Sequence, residues 1–158
     1  MRNLHVALAG VIFALAVSTA AAGVPDNAVK AQLDAKGIKY QIDKDGDFRI
    51  VYQLDGGRTQ VAWVRSAVNS YGSLKIREIW SPGYRSEGNE FPARIANDLL
   101  ARNHQVKLGA WEAQKNVAMF VVKIPADASA DQLVDAVAVA VDSADEVEKE
   151  ITGSKDEF

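Results

Sequence analysis

Between Gly37 and Leu54 the chain reads GIKYQIDKDGDFRIVYQL, two runs of alternating apolar and polar residues about Asp45-Gly46. Alternation at period two marks strands with one buried face, and Asp-Gly between such runs marks a tight hairpin turn. In the second run Phe48, Ile50, Tyr52 and Leu54 lie on one side, with Arg49, Val51 and Gln53 on the other. Before the hairpin, Asp26 can cap a short helix in which Val29 and Leu33 share a face, and Gly37 suits its end.

After the hairpin, Asp55-Gly56-Gly57 turns the chain into a third strand over 58–68, and Asn69-Ser70-Tyr71-Gly72 turns it into a fourth over 73–80. Connections this short make an antiparallel meander, because a parallel neighbour needs a crossover of a dozen or more residues. The stretch 81–90, SPGYRSEGNE, reads as the longest loop. A helix follows in which Phe91, Ile95 and Leu99 recur every four residues, with Pro92 at its first turn. Two strands, 106–113 and 117–124, then form a hairpin about Lys115-Asn116, and Pro125 ends the second. Ser129 with Gln132 is a capping-box pattern that opens a last helix reaching to about Glu150, with Leu133, Val137, Ala140, Ala144, Val147 and Ile151 on one stripe.

The expected class is therefore α+β, an antiparallel sheet built from a meander and a C-terminal hairpin, with elements in the order α-β-β-β(-β)-α-β-β-α. In the third strand Val61 and Trp63 oppose Ala62, Val64 and Val68; in the last, Met119 and Val121 oppose Phe120, Val122 and Ile124. Both faces are apolar, so both should be covered, the second by the middle helix or by a second copy of the chain.

Composition adds a compartment. Arg2, an apolar run over 4–17 and Ala20-Ala21-Ala22 before Gly23 have the form of a secretory signal peptide, 1–22, and the apolar run is shorter than the roughly 20 residues of a membrane span. The expected location is periplasmic or secreted, without stable membrane insertion once the leader is removed. The rest, 23–152, is one domain followed by a flexible acidic tail over 153–158. There is no Cys, so no disulfide, and the core alone must hold the fold. The formal charge of −3 is scattered without a basic run, which argues against nucleic acid as a partner.

Candidate chemistry is sparse. The chain beyond the leader has one His and no Cys, which supplies neither a nucleophile–base pair nor a zinc site. His104 falls at a helix end, where a cation meets the helix dipole favourably. Asp43-Lys44-Asp45-Gly46-Asp47 lacks the calcium-loop spacing, with Gly fourth rather than sixth and Leu54 where Glu is needed. No cofactor is implied. Aromatic residues remain: Trp80 and Tyr84 about the Ser-Pro-Gly turn, and Trp63 and Trp111 on strands, are the candidate partner-binding residues.

Residues 37–40 leading into Asp45-Gly46-Asp47-Phe48, the helix IANDLLARN from Ile95, and ASADQL from Ala128 resemble the YbjN family, which shares the type III secretion chaperone-like fold. The resemblance implies a small bacterial domain that tends to dimerise, in a family described as sensory-transduction regulators or chaperone-like proteins, with no catalytic residues to carry over. The expected function is a non-enzymatic periplasmic binding or chaperone-like protein, a homodimer that meets a further protein. An alternative is a small carboxylate-dependent hydrolase using Glu87 and Glu90 of the 81–90 loop beside Trp80 and Tyr84. A third reading has that loop presented to another protein.

Overall fold

The structure is a computed structural model that describes residues 23–153 and 155–158; the leader expected over 1–22 lies outside the described residues. Helix α1, Asn27–Ala35, starts where the Asp26 carboxylate accepts the N–H groups of Ala28 and Val29. Strands β1 (Gln41–Ile42) and β2 (Phe48–Gln53) flank the expected turn, in which Gly46 has φ of 80°. Strands β3 (Thr59–Tyr71) and β4 (Leu74–Arg85) form a long hairpin. Helix α2, Ala93–Arg102, leads to β5 (Ala110–Gln114) and β6 (Val117–Pro125), and α3, Ala130–Thr152, begins with the Ser129/Gln132 capping box.

All strand pairs are antiparallel, and the six strands form one sheet in the order β1-β2-β3-β4-β6-β5. The meander and the C-terminal hairpin thus join through β4 and β6. The class and element order are as the sequence pattern indicates. The fourth strand, however, runs to Arg85, so residues 81–85 of the expected loop are strand, and the connection to α2 is shorter.

One apolar cluster holds the molecule together. It takes Val29 and Leu33 from α1, Ile95 and Leu99 from α2, and the stripe from Leu133 to Val147 of α3, against Phe48, Ile50, Val64, Ile79, Phe120 and Val122 of the sheet. Among the described residues every helix therefore packs on the same sheet face. The middle helix, a candidate cover for the opposite face, lies instead beside β5 with the others. Its own sequence explains this: Phe91, Ile95 and Leu99 make a single apolar stripe, which can be buried only once.

Two irregularities interrupt the ladders on either side of β4. Between Pro82 and Tyr84 the register with β6 shifts at Gly83. A Cβ at Gly83 would stand 2.5 Å from Trp111 Cη2 and 3.0 Å from the Ala144 carbonyl oxygen, so α3 and Trp111 approach closely because there is no side chain. In β3 the register against β4 shifts between Val64 and Val68. The carbonyls of Arg65 and Ser66 accept from Arg77 Nη1 instead, at 2.6 and 3.2 Å.

The segment 155–158, expected as part of a flexible acidic tail, is folded back. Arg58 Nη1 donates to the Lys155 carbonyl, Thr59 N–H to the Asp156 carboxylate, and Arg85 Nε to Glu157. The acidic side chains that suggest a solvated tail on composition find fixed donors at the end of β3 and β4.

Candidate protein-binding face

Each strand lends alternate residues to the face that carries no helix among the described residues. Across it runs the row Arg49, Trp63, Trp80, Val121 and Ala110, each residue in register with the next on β2, β3, β4, β6 and β5. Beside this row lie Val51 opposite Val61, and Pro82 opposite Met119. Val61, Met119 and Val121 are buried although no helix of the described residues covers them, while Trp63 and Trp80 are half-buried and Val51 is exposed. The two indoles and the neighbouring long polar side chains thus form the outer layer of this face.

That layer is ordered by charge. Trp80 Nε1 donates to Glu78 Oε2 at 3.0 Å, and the Arg65 guanidinium carbon stands 4.0 Å from the Trp80 ring centroid, a cation–π contact. Arg65 also pairs with Asp47 at 2.7 Å, and Lys123 with Glu112 at 2.7 Å. The Glu112 hydrogen bond, which outweighs partial burial, holds the Lys123 ammonium above its ordinary range. The face is an aromatic pair bordered by the ion pairs Arg65–Asp47 and Lys123–Glu112, a surface with an apolar centre and a polar rim.

The four aromatic candidates are split between the two faces. Trp63 and Trp80 share the helix-free face. Trp111 is buried on the helix side, where its ring meets Phe120 at 5.2 Å between centroids and 68°, and its backbone N–H donates to Asn103 Oδ1 at 2.7 Å. Tyr84 also faces the helices, packed with Phe91 at 6.1 Å between ring centroids. The extra residue at Gly83 inverts the alternation, which separates Tyr84 from Trp80. This also corrects the hydrolase arrangement: Glu87 and Glu90 line a cleft with Tyr84, but Trp80 lies across the sheet from them.

Other polar candidates have structural partners. Asp43 Oδ1 accepts the N–H groups of Asp45 and Asp47, and buried Asp47 accepts the Ser66 N–H at 2.7 Å, so these carboxylates shape the turn. Burial, the largest influence, pushes the Asp47 carboxyl above its usual range. His104 is exposed beyond the end of α2. The face-defining partners Arg65, Glu78 and Lys123 were not singled out on the sequence, yet the signal was present. Arg65 lies two residues after Trp63 and Glu78 two before Trp80, which is the spacing of one strand face.

The N-cap of α1 offers a pH test of the fold. Burial acts to raise the Asp26 carboxyl, but the hydrogen bonds from Arg77 and from the Val29 and Ala28 amides outweigh it and hold the group below the ordinary carboxylate range. A depressed carboxyl contributes stability that is present above the unfolded value and lost as pH falls through the folded one. Asp26→Asn should therefore lower the melting temperature at neutral pH, with the gap to the parent narrowing as pH falls through and below the ordinary carboxylate range. A gap that stays constant across an acid titration would refute the assignment.

The family model described as "Putative bacterial sensory transduction regulator", YbjN, matches residues 25–152. The chain belongs to the YbjN family. The match spans α1 through the end of α3, so it includes both sheet faces and the whole core. YbjN is not known as a family of enzymes, and its description is that of a regulator. A search of curated proteins returned no match to this YbjN chain.

Proposed function

We propose that this YbjN protein is a non-enzymatic, chaperone-like binding protein that acts as a dimer in the periplasm, with the helix-free sheet face as its protein contact. The observation that carries the reading is the in-register pair Trp63 and Trp80 on a face whose apolar centre has no helix over it among the described residues. Half-buried aromatics bordered by the ion pairs Arg65–Asp47 and Lys123–Glu112 have the composition of an interface centre and rim. The export half of the reading rests on the leader pattern, Arg2 with the apolar run and Ala20-Ala21-Ala22. The regulator-like family and the sparse catalytic inventory support a binding role.

Light scattering of the chain from Gly23 onward, across a concentration series, tests this. The parent should have the mass of two chains at tens of micromolar. Trp63→Ser combined with Trp80→Ser should weaken association at least about tenfold, since central aromatic anchors are worth ~2 kcal/mol or more. A parent chain that remains monomeric would refute the dimer whether or not the variant folds.

A further inference from the structure

Strands β3 and β4 part at one end of the sheet. Strand β3 stays paired with β2 to Gln53↔Thr59, and β4 with β6 to Arg85↔Val117, but the β3–β4 register ends at Trp63↔Trp80. The inside of this fork is closed by side chains in place of a ladder. Gln60 Nε2 donates to the Pro82 carbonyl at 3.2 Å, its Oε1 accepts the Val61 N–H at 2.7 Å, and Ser81 Oγ donates to the Val61 carbonyl at 2.8 Å. Gln60 and Ser81 are fully buried. Pro82 has no N–H to offer a ladder here, which fits a strand that opens at this point.

The mouth of the fork presents Thr59 on one side and Arg85 on the other, with Arg58 between them and α3. Arg58 is held in place before anything reaches it, with Nε 2.7 Å from Asp145 Oδ1 and Nη2 2.9 Å from Glu148 Oε2. In this structure the chain's own residues 155–158 span the mouth. Asp156 accepts the Thr59 N–H and hydroxyl at 3.2 and 3.1 Å, Lys155 offers its carbonyl to Arg58 Nη1 at 3.1 Å, and Glu157 accepts Arg85 Nε at 2.8 Å. The Glu157 N–H donates to buried Glu148 at 2.6 Å, and the Arg85 guanidinium lies 5.4 Å from the Phe158 ring centroid. Beside the segment opens a cleft of about 690 Å³ lined by Tyr84, Ser86, Phe91 and Ile151.

We propose that this mouth is a binding site for a short acidic peptide segment with an aromatic residue after its carboxylates, occupied in cis by 155–158, and that such a segment of a partner protein takes its place. The recognition elements are a backbone N–H, a hydroxyl and two guanidinium groups, all matched to carboxylates and a carbonyl in the occupant. Most contacts of 155–158, those of Lys155, of Asp156 and of the Glu157 carboxylate, are exposed ion pairs and hydrogen bonds, individually weak and screened by salt. The part-buried ones are the Glu157 N–H to Glu148 and the Thr59 hydroxyl to the Phe158 carbonyl. A displaceable segment over a preformed site is the result. The site uses neither Trp63 nor Trp80, so its failure and the failure of the dimer face are separate results.

The test uses the full chain and a fluorescein-labelled hexapeptide, Gly-Ser-Lys-Asp-Glu-Phe, copied from 153–158, read by anisotropy. Asp156→Asn with Glu157→Gln, which loosens the cis occupant, should bind the peptide at least tenfold more tightly than the parent. Adding Arg85→Ala to that variant should remove the gain. Exchange of the Thr59 amide, followed by NMR, should quicken in the double variant as its acceptor weakens. A double variant no better than the parent would overturn the proposal, as would a gain that survives Arg85→Ala or a Thr59 amide whose exchange does not change.

Discussion

Phe120→Ala should lower the stability of the domain by about 4 kcal/mol, the range found when a buried aromatic is truncated. Phe120 is fully buried on β6, in register with Ser81 of β4 and Trp111 of β5. Its ring stands edge-on to Trp111, a geometry worth ~1 kcal/mol beyond simple burial. The surroundings have little freedom to collapse into the space, because they already depend on close approach. A Cβ at Gly109 would be only 2.7 Å from Phe120 Cε1, and one at Gly83 would meet the Trp111 ring that Phe120 supports. A domain of this size is stable by ~5–15 kcal/mol in all, so the variant should be near the edge of folding. Urea denaturation followed by circular dichroism measures it, as a lower midpoint with an unchanged slope. A loss under about 1.5 kcal/mol, the cost of a well-tolerated core swap, would mean that the aromatic pair is not in the core as described.

Arg77→Met should cost about 3 kcal/mol, at the lower end of what breaking a buried charge pair costs, since Asp26 keeps some exposure. Arg77 is 3% exposed, on the helix face of β4. Its Nη2 donates to Asp26 Oδ2 at 2.6 Å, and its Nη1 to the carbonyls of Arg65 and Ser66. The methionine stem fills much of the same space but leaves two carbonyls of the β3 irregularity and one carboxylate oxygen without their donor. The effect should be partly shared with Asp26→Asn. In a double-mutant cycle the two should couple by more than ~1 kcal/mol, because they lie in one hydrogen-bond network. Strict additivity would show that Arg77 acts through the carbonyls alone.

How far these sites were legible in the sequence differs from residue to residue. Asp26, Ser129 with Gln132, Gly37 and Gly46 were readable because each acts on backbone groups within a few positions of itself. Phe120 was readable as one face of an alternating strand. Arg77 was not: its partners are 11, 12 and 51 positions away, and nothing local distinguishes it from an exposed strand arginine. The same holds for Arg58, whose partners Asp145 and Glu148 come from the far end of α3. Trp63 and Trp80 were each recognisable as candidates, but not as a pair, since only the β3–β4 register makes them neighbours. Residues 81–85 read as loop because Ser, Pro and Gly are turn formers. They are strand because Pro82 sits where the ladder to β3 has already ended and Gly83 sits at a bulge.

By itself, then, the sequence determined the kinds of elements, their order, most of their caps and turns, and the presence of two apolar faces on the central strands. These come from periodicity and from short-range hydrogen bonds, which a chain carries wherever it goes. Only the tertiary structure decided that the meander and the final hairpin join through β4 and β6, and that the described helices α1, α2 and α3 share one face. It also decided that Tyr84 turns away from Trp80 and that 155–158 closes the fork. Each of these rests on contacts between segments distant in sequence, and for Tyr84 one extra residue in a strand moves every later side chain to the opposite face.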